Sequence, residues 1–206
     1  MKFIIATNPF KGSLTSAQAG RAIAKAFREV FPDAGIDVAP ISDGGDGALD
    51  CVAAAVPYKK VRKKVPGPLG APLTAEYLLI EGGKTAVIEM ARASGLALIP
   101  AADRDPLAAT SIGSGLLIRD AIGRGCRKII VGIGGSATND GGMGAAAAAG
   151  FRFLDQRGRE LPARGSSLER VRSIDASPAL PELRYTEIIV ASDVANPLLG
   201  KTGASH

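Results

Sequence analysis

Three stretches of the chain could do chemistry, and each sets glycine beside small polar or charged side chains after an apolar run. The first is Asn8-Pro9-Phe10-Lys11-Gly12-Ser13. Lys11 could neutralise a phosphate or carboxylate there, with the Ser13 hydroxyl bonding to it; the competing reading is a solvated loop, because a single Lys-Gly-Ser has little specificity. The second, Asp43-Gly44-Gly45-Asp46-Gly47, places two carboxylates three residues apart on a pliant backbone. Such a pair could hold Mg²⁺ through water, since that ion prefers oxygen ligands and few protein contacts, or act as base and stabiliser. Turn and N-cap chemistry is the alternative. The third, Gly132 to Gly144, has six glycines in thirteen residues, among them Gly134 and Gly135, with Ser136, Thr138 and Asn139 as donors. Backbone N–H groups converge on an anion most easily where no Cβ intervenes and a helix begins. This stretch therefore reads as a ligand loop rather than a purely structural one.

Two shorter segments add charge. Glu89-Met90-Ala91-Arg92-Ala93-Ser94-Gly95-Leu96 offers an acid, a base and the Ser94 hydroxyl. The planar Arg92 fork suits a carboxylate or phosphate, against the alternative of a local ion pair. Asp193 and Asn196 pair a carboxylate with an amide before Pro197, a combination suited to metal or hydroxyl binding, or to an Asx turn. Two familiar patterns also match by letter. Gly132-x-Gly134-x-x-Ala137 followed by Asp155 imitates a dinucleotide fingerprint, but Asn139 to Gly144 interpose a second glycine turn where the fingerprint has helix. A nicotinamide-dependent oxidoreductase is accordingly the weaker alternative. Ala195-x-x-x-x-Gly200-Lys201-Thr202 resembles a relaxed Walker A loop, with Pro197 inside it and no residues left for the helix that motif needs.

Composition narrows the classes further. At 206 residues, 46% hydrophobic and 22% charged, the chain has the make-up of a folded globular protein of between one and two domains. Its longest uncharged stretches contain glycine or serine and fall short of a membrane span. Met1 to Ala6 is too short for a signal peptide's apolar region and reads as a first strand, so a cytoplasmic location is expected. The net charge of +5 comes from one run, Lys59, Lys60, Arg62, Lys63 and Lys64, without which 20 basic residues face 20 acidic ones. With 4% aromatics and no Trp, nucleic-acid binding is not expected, and the run reads as an exposed edge strand guarded by lysine. Cys51 and Cys126 lack zinc or Cys-x-x-Cys spacing, and the one histidine is His206, which excludes histidine-based triads and zinc sites from the ordered fold. Acid, base and metal ligand must be mostly Asp, Glu or Lys.

These residues need elements to position them. Short Ile/Val-rich runs alternate with alanine-rich amphipathic segments, the pattern of an α/β fold with mainly parallel strands. Strands are expected at 2–6, 36–39, 61–65, 73–80, 85–90, 128–133, 151–154 and 187–191. Helices are expected at 16–31, from the Asp43 loop to Pro57, and at 111–122 and 142–149. Thr15 and Gln18 form a capping box for the first helix. Glu81-Gly82-Gly83-Lys84 signals a hairpin. Each of the three glycine loops thus leaves the C-terminal end of a strand, where ligands bind in α/β sheets. A domain change is expected near residues 57–70, with a first α/β domain over 1–65 and a second, bearing the glycine-rich loop, over 66–206.

In order along the chain, Phe10-Lys11-Gly12-Ser13-Leu14, Ser42 to Gly47, Gly67-Pro68-Leu69-Gly70, Glu89 to Leu96, Gly132 to Gly142 and Asp193-Val194-Ala195-Asn196-Pro197-Leu198-Leu199-Gly200 resemble the bacterial glycerate kinase family. The resemblance runs from residue 2 to 204. It implies two α/β domains, the later chain returning to complete the first, and ATP-dependent phosphorylation of D-glycerate, commonly to 2-phosphoglycerate, with Mg²⁺. Asn8-Pro9 stands where relatives often have Asp-Ser, and Asp46 replaces a frequent Glu. Family chains are nearly twice as long, so this chain is expected to correspond to the N-terminal half or slightly more, with the first domain incomplete, and a non-catalytic fragment is the other alternative to the kinase reading. On this reading Asp193 orients the glycerate hydroxyl or holds the metal, and Asp43 assists. Arg92 and Lys11 anchor the substrate carboxylate, and Gly134 to Asn139 cradle substrate or phosphate. Ser13, Ser94 and Asn196 complete the substrate-binding set, and Asp43, Asp46 and Asp193 are the metal candidates.

Overall fold

The computed structural model describes residues 1–10, 12–195, 197 and 199–203. Strand β1 (Lys2–Thr7) leads through the Phe10 loop into helix α1 (Ser16–Val30) and strand β2 (Gly35–Pro40), which pairs parallel with β1 in a two-stranded sheet. The expected capping box starts α1: Gln18 N–H donates to Thr15 Oγ1 and Gln18 Oε1 accepts from Thr15 N–H. Apolar spacing on α1 then turns Ala19 and Ala24 inward, and Phe27 packs edge-on against Phe3 of β1. Helix α2 (Ala48–Ala55) follows, shorter than expected because its chain extends again at Val56, before Pro57.

A five-stranded sheet comes next. It contains β3 (Lys59–Pro66), β4 (Pro72–Ile80), β5 (Thr85–Glu89), β6 (Lys128–Gly132) and β9 (Glu187–Ala191), in the order β3-β4-β5-β6-β9. β3, β4 and β5 pair antiparallel, as the Glu81 to Lys84 hairpin signal requires, and β5, β6 and β9 run parallel. The lysine-rich β3 is an edge strand, where repeated charge discourages pairing with another chain. It straddles residue 65 and pairs along its whole length with β4, so the change from one sheet to the other falls before Lys59.

Strand side chains alternate between faces, and helices cover both. On one face Tyr77, Leu79, Ile88, Ile129 and Val131 pack with Leu117, Ala121 and Ile122 of helix α4 (Ile112–Gly123). On the other, Leu78, Val87 and Ile130 pack with Leu49 and Val52 of α2. The helix that follows the first βαβ unit is therefore also a layer of the second sheet. Helix α3 (Ala91–Ser94) is a single turn between β5 and α4. Helix α5 (Met143–Ala148) crosses α4 closely: a Cβ on Gly115 would lie 2.5 Å from Ala145 Cα.

The run at 151–154 forms strand β7 (Arg152–Leu154), which joins no parallel sheet. It pairs antiparallel with β8 (Ser173–Asp175), and Phe153 packs with Met143 and Leu161. Three residues paired with a partner as short left too little periodicity to announce β8. Among the described residues, no helix is long and apolar enough to cross a membrane.

Candidate functional site

The loops that leave β2, β5, β6 and β9 meet at the C-terminal ends of the parallel strands. Their contact is backbone against backbone. A Cβ on Gly132 would lie 2.5 Å from Gly44 O, and one on Gly134 would lie 2.5 Å from Gly45 Cα. Gly134 N–H donates to Gly44 O at 3.2 Å, and Ile133 N–H donates to Ala191 O at 3.3 Å. The same loop is laced to the Arg92 turn, with Ala137 N–H donating to Ser94 O and Leu96 N–H donating to Gly135 O, both at 2.9 Å. Packing between loops thus accounts for two of the six glycines in this stretch. At Gly132 and Gly134 the absent side chain is what lets two loops touch.

Glu89 ties these pieces together from beneath. Its side chain is 3% exposed. Oε1 accepts from Gly47 N–H at 3.3 Å and Oε2 from Leu49 N–H at 3.1 Å, so the carboxylate caps α2 from another strand. A negative charge at a helix N-terminus is favourable, because the first amides have no partner within the helix. Arg92 Nε lies 3.3 Å from Glu89 Oε1, but this buried N–H is not aligned for a hydrogen bond. The rest of the guanidinium faces Asp50 Oδ2 at 3.5 Å and Glu76 Oε1 at 3.9 Å. Burial works to raise the Glu76 pKa, and the Lys60 hydrogen bond with the charges of Lys60, Arg92 and Arg62 outweighs it, leaving the carboxyl below its ordinary value. Arg92 is thus held by three carboxylates, of which Asp50 is the most exposed and the cheapest to displace.

In front of Arg92 lies a cleft of about 510 Å³, within the usual size of a small-molecule site. Ser13, Asp46 and Arg92 all line it, together with Phe10, Leu14, Pro40 and Cys51. Burial pushes the Cys51 thiol up, so it is poorly suited to act as a nucleophile. One wall is the β1–α1 loop and the other is the start of α2 with the Arg92 turn. A cation and a hydroxyl facing each other across a partly apolar cleft can hold a small anion in a fixed orientation.

The other expected residues sit differently. Asp43 is exposed and accepts from Gly45 N–H at 2.9 Å in its own turn. Asp193 is exposed two residues beyond Ala191, whose carbonyl would lie 2.7 Å from a Cβ on Gly44. Ser136 and Thr138 are half-buried and Asn139 is exposed, none of them lining the cleft. Gly135 lies at its rim, where a Cβ would come 2.8 Å from Asp46 Oδ1. Ser94 is fully buried and accepts a hydrogen bond from Ser114 Oγ at 2.8 Å. Its hydroxyl is spent inside the fold, which gives it a supporting place rather than a contact surface. Lys11 and Asn196 lie outside the described residues. Among those described, no group of three or more His, Cys, Asp or Glu side chains could hold a metal ion, so Asp43, Asp46 and Asp193 are not gathered into a cage. The donors present fit instead an ion such as Mg²⁺ that keeps its waters and arrives on a ligand's phosphates, with one or two carboxylates nearby.

Two supporting groups escaped the sequence reading. Glu89 meets amides 40 and 42 residues earlier, a relation without local spacing. Asp140 is buried and accepts from Ser111 N–H and Oγ–H at 2.8 Å, Gly142 N–H at 3.1 Å and Gly144 N–H at 3.0 Å. It fixes the starts of α4 and α5 together. Its local half, an Asp followed by glycines before a helix, was readable as a cap. Asp155, the acid of the dinucleotide pattern, directly follows β7 of the antiparallel β7–β8 pair and is bonded by Arg157 N–H and Arg159 N–H. It is not at the end of a parallel strand beside β6, so nothing in the fold supports the nicotinamide alternative.

Comparison with known proteins identifies the family and agrees with the fold. The family model described as the glycerate kinase family matches residues 3–206. The chain is 47% identical over 206 residues to a glycerate 2-kinase of Escherichia coli K12, covering all of this chain and 54% of that protein. It is 45% identical over 205 residues to a glycerate kinase of Bacillus subtilis 168, again covering 54% of that protein. A crystal structure of a Salmonella typhimurium LT2 protein assigned as glycerate kinase 2 superposes with a TM-score of 0.84 at 46% identity, over 99% of this chain and 55% of that one. The chain spans about half the length of the curated relatives it matches.

Proposed function

This chain belongs to the glycerate kinase family, and on that premise we propose that it serves the ATP-dependent phosphorylation of D-glycerate to 2-phosphoglycerate. The observation that carries the reading is the match of residues 3–206 to the family. The cleft supports it chemically: Ser13, Asp46 and Arg92 face a volume suited to a small hydroxy acid and its phosphoryl donor. We further propose two α/β domains, as expected from the sequence, with the boundary moved from residue 65 to the sheet change before Lys59.

Phosphoryl transfer asks for positioning and charge neutralisation more than for covalent help. Arg92 would take the substrate carboxylate by exchanging its most exposed partner, Asp50, for the ligand. Glu89, buried behind it, keeps the guanidinium aimed while this exchange occurs. Lys11 would lend a second positive charge and Ser13 a hydrogen bond. Asp193 would orient the reacting hydroxyl, with Asp43 assisting. Gly134 to Asn139, with Ser94 supporting the turn behind them, would border substrate or phosphate, and Asn196 would add an amide. Mg²⁺, when bound with the nucleotide near Asp46, would neutralise phosphoryl charge.

The test is ³¹P NMR of the purified chain with MgATP and D-glycerate, run beside a longer protein containing it. A new phosphomonoester resonance from either is expected, and its position distinguishes 2- from 3-phosphorylation. Absence of product from both would overturn the reading.

A further inference from the structure

Away from the cleft, a second pocket of about 190 Å³ is lined by Asp155, Gln156, Arg159, Arg170 and Arg172. It lies between the turn after β7 and the segment that enters β8, and it shares no lining residue with the first cleft. We propose that it is an anion site for a phosphate group, free or carried on a small phosphate monoester.

The charge balance is the first argument. Three guanidiniums face one carboxylate, and that carboxylate is already committed. Asp155 Oδ1 accepts from the N–H groups of Arg157 at 2.8 Å and Arg159 at 3.0 Å, while Oδ2 accepts from Arg159 Nε at 3.0 Å and lies 2.8 Å from its terminal nitrogen. No described carboxylate lies within ion-pair distance of Arg170 or Arg172. An excess of two positive charges suits a dianion.

Preorganisation is the second. Arg159 is held by Asp155, so its remaining N–H groups are directed rather than free to wander. Arg172 is fixed from both ends: its backbone N–H donates to Leu154 O at 2.8 Å, and one terminal nitrogen donates to Glu169 O at 2.9 Å and Val171 O at 3.0 Å. Guanidiniums ordered beforehand lose less entropy on binding, and their planar fork matches phosphate oxygens. The Gln156 amide adds a neutral donor to the rim. The volume is too small for a nucleotide and adequate for one phosphate group.

The experiment is a titration of the ¹⁵N-labelled protein, followed by amide shifts, with inorganic phosphate and separately with glycerol phosphate. Sodium chloride at matched ionic strength is the control, because exposed charges respond to salt alone. The expected result is saturable shifts at 155–159 and 170–172, with an apparent affinity that falls about tenfold or more in the Arg170→Ala/Arg172→Ala double variant. A variant spectrum otherwise superposable on the parent's shows that the fold is kept, and Arg172→Lys serves in its place if it is not. Saturation by inorganic phosphate assigns the free ion, and saturation by the monoester alone assigns a phosphorylated small molecule. Shifts no larger than with chloride, shifts confined to the cleft around Ser13 and Arg92, or unchanged binding in the variant would each overturn the proposal. None of these results depends on whether the protein is a kinase.

Discussion

Glu89 shows how much one buried carboxylate can organise. It accepts from two amides at the start of α2 and stands behind Arg92, so it links the Asp46 loop to the cation of the cleft. Glu89→Gln keeps the shape but offers one acceptor oxygen and an NH₂ group that faces another donor. The expected cost is about 1–3 kcal/mol, the penalty for a buried polar group left unsatisfied, measured by urea denaturation. If Arg92 anchors the substrate carboxylate, the variant also raises KM for glycerate more than it lowers kcat. An unchanged KM would separate the structural role of Glu89 from the binding one. The sequence showed an acid, a base and a hydroxyl in this segment. It did not show that the acid serves the base and the hydroxyl serves the core, because the deciding partners, Gly47, Leu49 and Ser114, lie 20 or more residues away.

Among elements, the parts that fold on local rules were the legible ones. The Thr15 and Gln18 cap, the β4–β5 hairpin and the lysine-guarded β3 follow from spacing within a few residues. The contact of two glycine loops did not, since Gly44 and Gly134 are distant in sequence and glycine carries no pattern of its own. Gly134→Ala tests that contact: its Cβ would meet Gly45 Cα at 2.5 Å and Gly45 N at 2.9 Å, both backbone atoms that cannot rotate aside. A loss of about 1–3 kcal/mol is expected, the usual cost of overpacking, with any activity falling further because both loops shift. Asp120 of α4 gives a pH test of how that helix is tied to the sheet. It accepts from Lys63 of β3 at 2.6 Å, Tyr77 of β4 at 2.7 Å and Arg124 at 2.7 Å. Burial alone would raise its pKa, but the hydrogen bonds from Arg124, Lys63 and Tyr77 prevail and bring it to about 2. Burial, then Asp120, pushes the Tyr77 hydroxyl upward. A carboxyl depressed on folding adds stability above its unfolded value near 3.9, and that stability is lost as pH falls through the folded value. Asp120→Asn should therefore cost about 2 kcal/mol at pH 7, with the gap from the parent closing between about pH 4 and pH 2. A gap independent of pH would remove the electrostatic explanation.

At the scale of the whole molecule the two edges of the five-stranded sheet are unlike. β3 ends it with Lys59, Lys60, Lys63 and Lys64, whereas β9 ends it with Glu187-Ile188-Ile189-Val190-Ala191. Ile188 and Val190 are 43% and 56% exposed, and Ile189 is 36% exposed, so apolar side chains stand on both faces of a strand paired on one side only. A flat apolar edge with unpaired amides and carbonyls is a template for another strand. The chain studied alone is accordingly expected to self-associate through β9 with a strong dependence on concentration. Light scattering checks this directly. Val190→Lys, which puts at this edge the charge that β3 already carries, should reduce association without changing the melting temperature by more than about 2 °C, since the position is exposed. If Lys63→Val on the opposite edge promoted association while Val190→Lys did nothing, the vulnerable edge would be β3 once stripped of its lysines, and β9 would be protected by something other than charge.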